Sequence, residues 1–198
     1  CADKAGEGYL TEMEQLLRHP KAVAVGEIGL DYYWDDVPRE LQKKVFEQQI
    51  VLALELDLPV VVHDRQAHQD TMELLKKYKP RGFVHCFSGS VEMARELYRL
   101  GMSVSLGGVV TFKNARHSTE VVRDAPLDRL LLETDAPYLA PVPFRGKRCD
   151  SSMILYSAEK MAQLRGMPVE TLLRATAENA CAMYGIDPKL LRGKEATP

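Results

Sequence analysis

Short runs rich in Val, Leu and Ala recur along the chain, separated by longer stretches in which apolar residues return every three or four positions. The runs fall at 22–25, 59–62, 82–84, 102–106 and 130–132, each bounded by turn-forming or charged residues. Apolar runs without alternation predict strands of a parallel sheet, buried on both faces. The stretches between them predict helices. Over 39–56, Leu41, Val45, Leu52 and Leu56 recur near helical spacing, with Asp36 and Pro38 as start signals and Pro59 as a stop. Asp70 to Glu73 has the spacing of a capping box, and Ser90 suits the N-cap of a helix that Gly101 would end. Two further helices are predicted over 152–164 and 169–183. Strand alternating with helix implies a parallel α/β fold, either a doubly wound sheet or a (β/α)8 barrel. No linker, low-complexity segment or additional repeat interrupts the pattern, so one domain over residues 1–198 is expected.

Composition narrows this without redirecting it. The 198 residues are 45% hydrophobic and 27% charged, ordinary for a globular domain with one core. A formal charge of -2 gives no global attraction to nucleic acid, so an anionic substrate needs a local cluster such as Arg145, Lys147 and Arg148. Cys1, Cys86, Cys149 and Cys181 form no C-x-x-C pair, which argues for reduced thiols and against a cysteine zinc site. No apolar run approaches the ~20 residues that span a bilayer, and no secretory pattern opens the chain, so a cytoplasmic protein without a membrane partner is expected. The Gly-rich dinucleotide fingerprint and the P-loop are both absent, so no nucleotide cofactor is expected.

The discriminating feature is where the polar residues fall. The first, second, third and fifth apolar runs lead into Glu27, His63, His85 and Asp135. In barrel enzymes the C-terminal ends of several strands converge on one site, so these side chains would meet. Any one of them alone reads more simply as a structural histidine or a helix cap. Together, two imidazoles and two carboxylates suit Zn, Mn or another divalent ion. The run Leu130-Leu-Leu-Glu-Thr-Asp135 also needs an explanation, because a carboxylate closing a buried segment requires a compensating charge. His19, His68 and His117 lie in polar or loop contexts and read as surface residues. Lys113 is the nearest candidate for Schiff-base chemistry and reads as a solvated loop lysine; Ser88 lacks the G-x-S-x-G setting of a nucleophile.

On these residues the sequence resembles the TatD family of metal-dependent hydrolases, often described as deoxyribonucleases. The matching segments are Gly26-Glu-Ile-Gly-Leu-Asp-Tyr-Tyr33, Val62-His-Asp-Arg65, His85-Cys-Phe-Ser-Gly-Ser90, Gly107-Gly-Val-Val-Thr-Phe112, Leu132-Glu-Thr-Asp-Ala-Pro-Tyr-Leu-Ala-Pro141 and Pro143-Phe-Arg-Gly-Lys-Arg148. The resemblance implies a TIM-type barrel with two divalent ions (Mg, Mn or Zn), Glu27 bridging them, His63 and His85 on one, and Asp135 at the other. Glu133 shares the strand face of Asp135 by alternation and could support the site from deeper in the barrel, or serve in a structural ion pair. The family's opening His-x-His strand and the His-Pro segment after its third strand do not occur in these 198 residues. About five of eight strand-helix units are therefore expected, with units lacking on the N-terminal side and one ion held better than two. Cys149-Asp150-Ser151 also stands where the family commonly continues Asn-Glu-Pro.

The function implied is phosphodiester hydrolysis, with DNA as substrate and 3'-5' exonuclease action by resemblance. Asp135 and Glu27 would be catalytic, while Arg65, Arg145, Lys147 and Arg148 would bind phosphates. Two alternatives stand beside it: a metal-dependent hydrolase of a small amide, lactone or phosphoester, and a catalytically impaired barrel fragment. The sequence does not define an oligomeric state, although an open parallel sheet, with pairing groups and apolar surface exposed, is expected to favour self-association or poor solubility.

Overall fold

The structure, a computed structural model, describes residues 2–34 and 36–191. Cys1 lies outside the described residues; Cys86, Cys149 and Cys181 are free thiols. Five strands, β1 (Val25–Asp31), β2 (Val60–Arg65), β3 (Gly82–Val84), β4 (Ser103–Leu106) and β5 (Leu130–Leu132), form one sheet. Helix α1 (Tyr9–Leu17) precedes β1, and α2 (Arg39–Glu55), α3 (His68–Tyr78), α4 (Val91–Arg99) and α5 (Arg116–Asp124) alternate with the strands. Helices α6 (Ile154–Arg165) and α7 (Val169–Tyr184) follow β5.

Every strand pair is parallel and the spatial order is the order of sequence. A doubly wound sheet reverses its strand order at a switch point. This sheet never reverses, so its winding is that of the barrel. Among the described residues it comprises five strand-helix units, and β1 and β5 do not pair with each other.

The expectation of burial on both faces holds for β3 and β4 and fails for β1 and β2. In β2, Val60, Val62 and Asp64 are buried while Val61, His63 and Arg65 are not; in β1, Ile28 and Leu30 are buried whereas Glu27 is exposed. One face of these strands lies under helices and the other carries the polar groups. The core is built on the helical face, where Phe46 and Ile50 of α2, Leu75 of α3 and Leu97 of α4 pack with Leu30, Val60, Val62, Val84 and Val104. Burying a side chain of this size contributes roughly 1.5–3 kcal/mol.

Several boundaries differ from expectation. The first strand does not end near Glu27 but runs on to Asp31, and its pairing with β2 is irregular between Val25 and Ile28, where Glu27 sits. The motif that follows Val25 is thus strand, although its two glycines disguise it. Helix α3 starts at His68, so Asp70 is no cap; its carboxylate instead accepts a 2.6 Å hydrogen bond from the Tyr32 hydroxyl. Ser90 does cap α4, its Oγ accepting from the Met93 amide. Helices α1 and α5 carried little periodic signal: the buried apolar side chains of α5 are Val121 and Val122 alone. No described helix is long and apolar enough to cross a membrane.

Two features of this framework are open to test. Gly29 has φ 143°, and a Cβ there would lie 2.0 Å from the His63 carbonyl oxygen on the paired strand. Gly29→Ala is expected to cost roughly 3 kcal/mol or more, read as a fall in Tm, because neither backbone can move without breaking the β1–β2 ladder. On the helical face, His68 Nδ1 lies 2.7 Å from the buried Asp64 Oδ2, and this hydrogen bond raises the imidazole's pKa against the opposing effect of burial. A raised folded-state pKa gives stability that is present below the unfolded value and lost as pH rises through the folded one. His68→Gln should therefore cost up to about 1 kcal/mol near pH 5.5 and less near pH 9, as measured by urea unfolding.

Candidate metal centre

Consecutive strands bring three of the predicted residues together. His63 projects from β2 and His85 follows β3 directly, and His63 Nδ1 lies 3.2 Å from His85 Nε2. From β1, Glu27 reaches both rings, its Oε1 3.4 Å from His85 Nε2 and its Oε2 3.8 Å from His63 Nδ1. One donor atom from each of the three residues falls within a 4.8 Å set.

The far side of each ring faces a carboxylate. His63 Nε2 lies 3.2 Å from Asp31 Oδ2, and His85 Nδ1 lies 3.8 Å from Glu133 Oε1. Asp31, within hydrogen-bond reach of His63 Nε2, favours the His63 tautomer whose lone pair lies on Nδ1, while Glu133 adds negative charge behind His85 without a direct hydrogen bond. Two near ring nitrogens and a carboxylate then converge across about 3–4 Å, a crowding of acceptors that a cation between them would relieve. The donor set of two imidazoles and a carboxylate is one that borderline divalent ions accept. The residues present therefore fit a metal.

The surroundings hold this geometry. Glu133, nearly buried, accepts from the Cys86 amide at 2.5 Å and from the Ser105 hydroxyl. Burial raises its pKa, with Ser105 and His85 acting in the opposite direction. At the end of β1, Gln42 of α2 accepts from the Asp31 amide and donates to the carbonyls of Asp31 and Val37, fixing the segment that carries Asp31. Cys86 has φ 44° and Asp135 φ 56°, left-handed conformations that side chains other than Gly adopt at a cost and that concentrate at functional sites. The Cys86 thiol is pushed up to about 12 by burial and by Glu133, Asp135 and Glu27, so it stays protonated and is no nucleophile.

Asp135 lies three residues beyond β5 and is not one of the 4.8 Å group. Its carboxyl is raised by burial and by Glu27, while His85 and His63 oppose the shift, so it belongs to the same electrostatic neighbourhood. The basic residues are divided among three places. Arg65, two residues past His63, lies with its Cζ 3.8 Å from the Tyr33 ring centre. Arg145 Cζ is 4.4 Å from the Phe112 ring centre and Lys147 Nζ is 5.8 Å from that of Phe144. Arg148 lines a separate cavity with Ala136, Pro137 and Asp150. Glu27, Asp31 and His63 share a larger cavity, of about 670 Å3, with Trp34 and Gln42.

The pattern of the TatD related DNase family matches residues 2–185. The chain belongs to that family. Its members named here are similar along most of this chain: "Uncharacterized metal-dependent hydrolase YabD" of Bacillus subtilis is 46% identical over 184 residues, covering 91% of this chain and 72% of YabD. Human "3'-5' RNA nuclease TATDN2" is 39% identical over 181 residues, 87% of this chain and 24% of TATDN2. Among solved structures, the Escherichia coli TatD homolog YJJV superposes with a TM-score of 0.87 at 33% identity, covering 93% of this chain and 73% of YJJV. The TatD chain described here is thus a member of a metal-dependent hydrolase family with the corresponding barrel fold.

Sequence reasoning named Glu27, His63 and His85 but not the part Asp31 or Gln42 plays. Alternation along β1 would have found Asp31, since Glu27, Gly29 and Asp31 are spaced by two and the register sets Gly29 against His63. Gln42 left no signal, because a polar residue on an otherwise amphipathic helix reads as solvated.

Removing the carboxylates behind the rings tests this arrangement. Asp31→Asn and Glu133→Gln should each weaken Mn or Zn affinity about 10–100-fold while leaving the ligands in place, as measured by competition with a chelating dye.

Proposed function

We propose that this protein is a divalent-metal-dependent phosphodiesterase acting on nucleic acid, with DNA as the first substrate to examine. The observation that carries the reading is the convergence of His63 Nδ1, His85 Nε2 and the Glu27 carboxylate. Membership of the TatD related DNase family supports it, as does the name of the human relative, which is an RNA nuclease. RNA is accordingly the second substrate.

His63, His85 and Glu27 would hold the ion, with Asp135 at a second position. When bound, a divalent cation lowers the pKa of a neighbouring water and stabilises negative charge on phosphate. Asp31, hydrogen-bonded to the far side of His63, and Glu133, behind His85, would help keep the near ring nitrogens aimed inward. Asp135 orients the attacking water and accepts its proton, a role its position beyond β5 and its shared field with the ligand side chains allow. Arg65, whose guanidinium lies over the Tyr33 ring, can present donors to a phosphate oxygen. Arg145, Lys147 and Arg148 would meet the more distant backbone. One ion is expected to bind more tightly than the other, because Asp135 stands apart from the ligand group.

The test is cleavage of labelled single-stranded DNA and of the matching RNA with Mg or Mn, alongside a small aryl phosphodiester, an amide and a lactone. Asp135→Asn should keep its metal and lose about 100-fold or more in kcat, whereas Glu27→Gln should lose both metal and turnover. Turnover of the amide or lactone with neither nucleic acid cleaved would overturn the reading.

A further inference from the structure

We propose that Trp34, Tyr33 and Arg65 form a subsite that stacks one unpaired nucleobase beside the metal centre; the proposal rests on the nucleic-acid reading above. These residues lie just past the site on neighbouring strands: β1 runs through Glu27 to Asp31 before Tyr33 and Trp34, and β2 carries Arg65 two residues beyond His63. The register pairs Asp31 with Arg65, which places both extensions side by side. Arg65 Cζ lies 3.8 Å from the Tyr33 ring centre and 5.9 Å from that of Trp34. The two rings meet edge to face, with centres 4.9 Å apart and planes at 88°.

That geometry supports the rings without covering them. Tyr33 is 49% exposed and Trp34 59% exposed, so an indole face remains open to solvent at the mouth of a catalytic cavity. Large exposed aromatics that contribute little to a core, placed beside arginine, are the groups on which bases of single strands stack, because every base offers a π-face. Trp34 lines the same cavity of about 670 Å3 as Glu27 and His63, a size in the range of small-molecule sites.

Charge decides which part of a nucleotide enters there. The cavity wall also carries Asp3, Asp31 and Asp36 against Lys4. A phosphate would be repelled from this side, whereas an uncharged base would not. The phosphate is thereby directed toward the metal ligands and Arg65 while the base lies against Trp34. A duplex base is already stacked and paired on both sides, so the subsite selects an unpaired nucleotide and sets which phosphate reaches Asp135.

Trp34 is the one tryptophan of the sequence, so emission excited at the red edge of the absorption band, where tyrosine does not absorb, reports on this subsite alone. The experiment titrates the magnesium-loaded protein with a cleavage-resistant phosphorothioate oligothymidylate and with an abasic strand of equal length and charge. The thymidylate should quench Trp34 saturably and bind at least about tenfold more tightly than the abasic strand. In Trp34→Leu and Arg65→Ala, followed by anisotropy of a labelled strand, that preference should shrink toward unity. Equal affinity for both strands, or no quenching by thymidylate, would overturn the subsite. Cleavage of an unmodified strand is measured in parallel. Base-dependent quenching without cleavage supports the subsite and removes the nuclease reading; cleavage without base-dependent quenching does the reverse.

Discussion

The site depends on two imidazole rings whose near nitrogens are held 3.2 Å apart by carboxylates behind them. Neither His63 nor His85 can swing away without abandoning Asp31 or Glu133, and neither carboxylate can move freely. Asp31 is tied to α2 through Gln42, and Glu133 to the Cys86 amide and Ser105. The result is a crowd of carboxylates around two imidazoles: Glu27, Asp31, Glu133 and Asp135 lie about them, and among the described residues no lysine or arginine forms an ion pair with these four acids. Left to itself such a cluster opposes folding, and a cation bound only by the folded state would offset that opposition by an amount that grows with the logarithm of its affinity.

The strands reconcile this cost with a stable framework by dividing their faces. On β2, His63 points into the site while its neighbours Val62 and Asp64 are buried against helices. Apolar packing by Leu30, Val60, Val62 and Val84 thus supports the same backbone that displays the charged groups. The buried acid on the helical face is partnered at one oxygen, since Asp64 Oδ2 meets His68 from the first turn of α3 while Oδ1 has no hydrogen-bond partner among the described residues. Left-handed backbone at non-Gly residues recurs in the loops, at Asp57, Gln66, Lys79 and Leu139, and two further instances, Cys86 and Asp135, fall beside the site.

Much of this was legible in the sequence because the strands are short and apolar and four of the five, all but β4, lead into or run through a residue type with metal-binding chemistry. His85 follows its strand directly, as expected. Glu27 does join His63 and His85 in the donor cluster, but it lies within its strand and not at the end of it, since Gly26 and Gly29 break the apolar run that marks the others. Asp31 lay within the recognised motif without a role, because its role exists only across the β1–β2 register. The one-faced exposure of β1 and β2 was also hidden: a run such as Val60-Val-Val looks the same whether Val61 is covered or not. Arg145 and Lys147 were legible as basic residues, but their placement against Phe112 and Phe144 is a product of the loop's fold.

Sequential strand order has a bearing on how the site comes into being. Glu27, His63 and His85 belong to β1, β2 and the end of β3, strands that are neighbours in both chain and space, so each pairing closes a loop of a few tens of residues. Local closures of this kind are kinetically favoured over distant ones, and chains emerge from synthesis N-terminal end first. The ligand set can therefore assemble while β4 and β5 are still unpaired, and Asp135, with Glu133 just before it, joins last. The three donor side chains thus meet before the carboxylate behind His85 is in place, so on a nascent chain the cluster forms first and its outer support arrives with β5.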